Sequence, residues 1–282
     1  MRALLVRVAV DQAYGEWNGP VDPTTNEFVY VSIPDKREFI TGLETPYTNV
    51  MPALAAFATG RESKAPIMLP GHLLTRTMHL DPDFANLTYG DTKDRARDLA
   101  KFAKDDLVVF YSGLRPCRSC PHRLIYAIVG LFRIDEVVRL DSVPEARWNE
   151  NAHTRRVKRN DDDVIVRGQA GTSGRLKTCL PIGEWRDRAY RVTKDLLDTW
   201  GDLSCKDGFI QRSAVPPSFR DAARFLRWFE SQKPEFIAEN NPGGAAIVAP
   251  AVSTISVRKT EASAVLTRPK RSSTRETTSK PA

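Results

Sequence analysis

Two apolar runs, LVVFY at 107–111 and LIYAIVGLFRI at 124–134, constrain this chain most. Both are rich in β-branched, leucine and aromatic residues and have the length of strands. Strands this apolar need a sheet with covered faces. Shorter strand patterns occur at 4–10, 27–33, 163–166 and 177–182. Helical spacing appears elsewhere, so the expected fold is α+β, with a single mixed sheet.

Four segments read as helices. Asn49 can cap one that takes Pro52 in its first turn, buries Leu54 and Phe57, and stops at Gly60. Residues 94–103 place Ala96, Leu99 and Ala103 on one face. Residues 184–200 carry Trp185, Ala189, Val192, Leu196 and Trp200 at helical spacing, with Gly201 as a stop. A last helix follows Pro216–Pro217, where Ser218 and Asp221 resemble a capping box and Phe225, Leu226 and Phe229 form the buried face. The body is expected to end near Asn241, giving a domain at 1–242.

Charge separates this body from the C-terminal tail. The chain carries +7 overall. Residues 243–282 hold seven basic and two acidic side chains, a net +5, which leaves +2 for the first 242. That tail is rich in Ala, Ser, Thr and Pro and has no aromatic residue. Such a segment buries too little apolar surface to offset its ordering entropy, so disorder is expected. Its PKRSSTR stretch suits weak, salt-dependent contact with nucleic acid. No apolar run reaches the roughly 18 residues of a membrane span. Arg7 interrupts the N-terminal apolar stretch, which argues for a strand over a signal peptide, so a cytoplasmic location is expected. Four cysteines fit reduced thiols and not a disulfide scaffold.

Several polar clusters are candidates for chemistry. In HLDPDF an extended chain would point His79, Asp81 and Asp83 to one face. One imidazole and two carboxylates suit a divalent metal or a general acid and base pair, and the plainer reading is a loop whose Asp and Asn residues cap the next helix. Asp91, in TYGD, is a candidate for a supporting role. Asp11 sits where the first strand ends, followed by Tyr14, Trp17 and Asn18. That loop can stack a base and read its edge, or it can hold a core tryptophan between turns. RGQAGTSGR, with Ser173 and Arg175, is either a phosphate cradle or a plain hairpin loop. It lacks the GK[ST] of a P-loop and the helix-opening GxGxxG of a dinucleotide fold. ENAHTRR places His153 beside Arg155 and Arg156, as an anion site or a solvated loop. RPCRSCPH offers Cys117, Cys120 and His122, one ligand short of a zinc site, and reads better as a surface loop.

Taken in order, DQAYGEWNGPVDPTTNEFVYVSIP, MHLDPDFANLTYGD, DLVVFYSGLRP, NENAHTRR, SGRLKTCLPIGEWRDRAYRV and KDGFIQRSAVPP resemble the nucleotide modification associated domain proteins, third class. The resemblance runs from about Arg2 to Asn241. It implies a partner that is a nucleotide or a nucleic acid base, and a role in handling altered bases. It places Asp11, His79, Asp81, Asp83, Arg115, His153, Ser173 and Arg175 in family-like stretches. The DDLVVFYSG and LIYAIVGLFRIDEV runs also look like the central strands of PUA-like barrels.

The expectation is therefore a protein that modifies or recognises a base. Tyr14, Trp17 and Asn18 would hold the base, and Arg115, Ser173 and Arg175 the phosphate. Asp11, His79, Asp81, Asp83 and His153 would be the reactive groups, with a divalent metal as the cofactor they suit. A metal-dependent hydrolase or transferase for a non-nucleotide substrate, and a non-catalytic reader, are the rival readings.

Overall fold

The computed structural model describes residues 1–59, 61, 67–211 and 215–242. The basic tail and Gly60 lie outside them. In chain order the elements are β1 (Ala3–Arg7), β2 (Pro20–Val21), β3 (Ile33–Asp35), α1 (Met51–Ala58), α2 (Gly71–Leu74), β4 (Thr77–His79), β5 (Thr88–Asp91) and α3 (Lys93–Leu99). There follow β6 (Leu107–Pro116), β7 (Ile125–Arg139), β8 (Val164–Gly168), β9 (Gly174–Pro181), β10 (Gly183–Arg186), β11 (Ala189–Val192), α4 (Lys194–Trp200), α5 (Ala222–Ser231) and β12 (Phe236–Ile237).

The two apolar runs are the two central strands. β6 pairs parallel with β1 and antiparallel with β7. Its residues alternate between two cores: Val108, Phe110 and Leu114 face one, Leu107, Val109 and Tyr111 the other. Burial on both faces is why the run is continuously apolar rather than alternating. β7 continues past β6, pairing with β9 along 127–131 and with β8 along 134–139. β5 pairs antiparallel with β8 at the end of this path. The sheet is thus mixed, helices accompany it, and it does not close into a barrel. The PUA-like likeness of the two runs is strand chemistry without barrel closure.

The first core holds the edge-to-face ring set Phe84, Phe110 and Phe132, with centroids 4.8–5.7 Å apart. Phe84 belongs to HLDPDF, so that loop is anchored through its last residue. The second core is covered by α4, α5 and the β10–β11 hairpin, with Trp200, Phe225 and Phe229 buried. A third cluster packs α1 against Val10, Val29 and Val31.

Three elements differ from expectation. Residues 184–200 are not one helix: β10 and β11 form a hairpin and only α4 is helical. Asp187 and Arg188 both take positive φ, the geometry of a tight two-residue hairpin turn, without the Asn-Gly that usually signals it. Trp185 is 58% exposed and sits opposite Tyr190 across the hairpin instead of in a core. Gly201 does end α4, with φ 78°. Residues 28–32 are buried, but 27–33 do not form a regular ladder. The Val29 N–H donates to Pro20, Tyr30 donates to the Asn241 side chain, and only Ile33 begins a strand. The 168–175 loop is no hairpin turn, because β8 and β9 each pair with β7.

Helix limits shift by smaller amounts. α1 buries Leu54 and Phe57, but Val50 and not Asn49 holds the cap position. α3 stops at Leu99 and leaves Ala103 exposed. α5 is capped by Asp221, whose side chain accepts the Arg224 N–H; Ser218 lies outside it.

Candidate functional site

A cleft of about 310 Å³ opens beside the ends of β1 and β5. Asp11, Tyr14, His79, Asp81, Asp91 and His153 all line it, together with Arg37, Arg95 and Arg156. Residues from five separate stretches of sequence therefore converge.

Its floor is built by carboxylates that hold imidazoles. The β3–β4 register sets Ile33 opposite His79, which places Asp35 diagonally across from the histidine. Asp35 Oδ2 lies 2.9 Å from His79 Nδ1. Asp163 Oδ2 lies 2.6 Å from His153 Nδ1. An ionised carboxylate can only accept, so each Nδ1 carries the proton and each Nε2 faces the other way. Both Nε2 atoms point to one acceptor: Asp81 Oδ2 is 3.8 Å from His79 Nε2 and 3.7 Å from His153 Nε2. The other oxygen of Asp81 is already engaged. Oδ1 accepts the Gly90 N–H at 2.8 Å and the Asn151 amide at 2.9 Å.

Gly90 is needed here for space. A Cβ at that position would lie 2.7 Å from the His153 ring and 2.9 Å from Asn151 Oδ1. Asn151 also accepts the His153 N–H, so one amide orients both Asp81 and His153.

Burial and charge shift the acids and bases apart. Desolvation lowers the His79 pKa despite Asp35. At His153 the same desolvation is overridden by Asp163 and Asp81, and the pKa rises to about 9. Asp35 and Asp163 are buried, which opposes charge, but their histidine and other polar partners hold both carboxyls low. Burial raises the Asp91 carboxyl, although Arg95, Tyr89 and the Thr92 N–H oppose it. Tyr89 donates to Asp91 at 2.7 Å. A carboxyl shifted towards its neutral form beside a cleft can deliver a proton.

The expected site residues separate into two groups. His79, Asp81 and His153 come together on the floor. Asp11 and Tyr14 line the same cleft. Asp11 accepts the Ala13 and Tyr14 N–H groups and pairs with Arg7, so it shapes the turn that presents Tyr14. Tyr14 is 61% exposed, as a stacking surface requires.

The remaining residues do not line the cleft. The chain bends at Pro82, so Asp83 leaves the face of His79 and Asp81. Its buried carboxylate pairs with Arg155 and accepts from Asn86 and Asn240. Trp17 packs against the third cluster. Asn18 is buried and donates to the Gly113 carbonyl. Arg115 is exposed at the end of β6. Ser173 Oγ is tied to the Arg133 backbone, and Arg175 is fully buried over the Phe28 ring. Cys117 is buried in the third cluster, and Cys120 contacts the His122 carbonyl.

Asp35 and Asp163 are not singled out as site residues by sequence, and Asn151 is so only within ENAHTRR. Asn151 sits in the ENAHTRR stretch that reads as an anion site or a solvated loop, and Asp163 ends the run of three aspartates at 161–163. Asp35 has no local signal at all, because only the β3–β4 register brings it to His79.

Among the described residues, one group of histidines and acids has metal-holding geometry: His79, Asp81 and His153, with one ligand atom of each within 4.8 Å of the others. No described helix is long and apolar enough to cross a membrane. No curated protein and no solved structure matches this chain. A model of the family described as nucleotide modification associated domain 3 matches residues 2–201, a span that holds the whole cleft floor. With most of its length matched, the chain belongs to the nucleotide modification associated domain 3 family.

Proposed function

We propose that this protein binds a nucleotide or nucleic acid base in the cleft and carries out a modification there. The observation that carries this reading is the convergence of an exposed ring, guanidinium groups and buried titratable groups in one cleft. Tyr14 stacks the base. Arg37 and Arg95, exposed at the rim, attract the phosphate. Asp91 supplies or takes a proton, and the His79–Asp81–His153 set faces the reacting edge of the base. The family membership supports the ligand class.

A reader of modified bases needs stacking and hydrogen bonds only. The His79–Asp81–His153 set, with two further carboxylates spent on orienting it, favours chemistry over reading.

Thermal unfolding of the full chain tests the reading, with unmodified and modified nucleotides and short single-stranded DNA as ligands. A ligand at ~100 times its dissociation constant stabilises a fold by about 2.7 kcal/mol. The expected outcome is a nucleotide-specific rise in Tm that Tyr14→Ala diminishes. No shift with any nucleotide or DNA would overturn the reading and favour an unrelated small substrate.

A further inference from the structure

We infer that His79, Asp81 and His153 form a mononuclear centre for a divalent first-row transition metal, open towards the cleft. The inference stands on geometry alone and does not depend on the nucleotide reading.

Three features of the floor support it. First, the donors converge. His79 Nε2 and His153 Nε2 lie 3.8 and 3.7 Å from the same oxygen, Asp81 Oδ2. A metal about 2.1 Å from each ligand needs donors roughly 3.0–3.5 Å apart, so a closure of a few tenths of an ångström brings each histidine to that distance from Asp81, and the two histidine donors lie within 4.8 Å of each other.

Second, the outer groups leave only the converging atoms free. Asp35 and Asp163 each engage an Nδ1, which turns both Nε2 atoms inward, where a metal would displace any proton they carry. The Gly90 N–H and the Asn151 amide engage Asp81 Oδ1, which leaves Oδ2 for the centre. Histidines that ligate a metal almost always donate their second N–H to a carboxylate, carbonyl or water. Here both do so, through residues on separate segments. Arg156, which also lines the cleft, donates to Asp35 Oδ2 at 2.7 Å and lies 3.1 Å from His79 Nδ1.

Third, the donor set selects the ion. Two imidazoles and one carboxylate suit iron, cobalt, nickel, copper or zinc better than magnesium or calcium, which prefer all-oxygen sites. Three protein ligands, where a structural zinc has four, leave positions for water or substrate. Those positions face the cleft that the three residues line. Held by these three residues, such an ion would supply Lewis acidity or a more acidic bound water. Asp83, placed by its spacing with His79 and Asp81, stands outside this set and pairs with Arg155.

The test is metal titration of the full chain after chelator treatment, with no nucleotide present. Co²⁺ absorbs in the visible when held by protein nitrogen and oxygen ligands, so it reports coordination directly, and Zn²⁺ then competes for the same site. The expected result is one Co²⁺ per chain, displaced by Zn²⁺ and not by millimolar Mg²⁺. Asp81→Asn weakens binding more than 10-fold. Asp163→Asn keeps all three ligands and weakens it by about 10–100-fold, as loss of a histidine's orienting partner does. The double variant Cys117→Ser/Cys120→Ser binds as the parent does. Absence of stoichiometric Co²⁺ or Zn²⁺ binding by the folded parent chain overturns the inference. So does binding that survives Asp81→Asn or vanishes in the cysteine variant. Where Asp81→Asn does not fold, His79→Gln takes its place. A metal that binds while every nucleotide fails would leave the centre standing and remove the nucleotide reading.

Discussion

Asp91 shows at the residue scale how function opposes stability. Burial is the main cause of its raised pKa. The unfolded carboxyl ionises first as pH rises, so above its unfolded pKa the folded state carries the cost of a buried charge. Asp91→Asn retains an acceptor for Tyr89 and the Thr92 N–H while removing the charge. The expected result is a higher Tm than the parent at pH 7, a gain that vanishes as pH falls below about 4. Thermal melts across pH 3–8 check it; an equal Tm at pH 7 would count against the placement of this carboxyl. Gly90 makes the opposite case. A methyl group there meets His153 and Asn151, so Gly90→Ala should cost about 1–3 kcal/mol and displace Asp81. Chemical denaturation measures the first effect and metal titration the second.

At the element scale, the β10–β11 hairpin illustrates an ambiguity in periodicity. Trp185, Ala189 and Val192 are spaced three to four apart, which is helical spacing. The same residues satisfy a hairpin in which Trp185 faces Tyr190 and Tyr190 stacks on Tyr126 at 4.4 Å. The turn carries non-glycine residues at positive φ, where an L side chain crowds the following carbonyl. Arg188→Gly should therefore stabilise the fold by about 1 kcal/mol, whereas in a helix it would destabilise by a similar amount. The sign of the change in denaturation midpoint distinguishes the two.

At the scale of the whole molecule, the segment after α5 braces the site region from outside the matched residues. Asn240 donates to Asp83 and accepts the Phe84 N–H, and Asn241 accepts the Tyr30 N–H and donates to the Tyr30 carbonyl. Asn240→Ala leaves the Phe84 N–H without this acceptor, with an expected loss of about 1–3 kcal/mol. A Tm within error of the parent would show that this brace carries no weight. The charge distribution leads to a separate expectation. Removing residues 243–282 takes away +5 of the +7 and should sharply reduce salt-dependent retention on immobilised DNA. Elution salt for the two chain lengths checks this.

The sequence by itself determined the sheet. Apolar runs long enough for strands had to be buried on both faces, and β6 and β7 are central for that reason. It also determined where α4 stops, since Gly201 acts through its own backbone. Of the candidate site, His79, Asp81 and His153 were legible because imidazoles and carboxylates are scarce and chemically distinct. Their separation from Asp83, and the recruitment of Asp35, Asn151 and Asp163, were decided only by tertiary structure. Spacing along a chain specifies which face a side chain takes only while the segment stays regular. HLDPDF bends at Pro82, and Asp35 reaches His79 through the register of a different strand. Arg175 obeys the same logic: a guanidinium beside glycines reads as a phosphate ligand, yet packing placed it over Phe28 in the interior. The balance of burial against hydrogen bonding at each polar group depends on neighbours distant in sequence, so it exists only once the chain has folded.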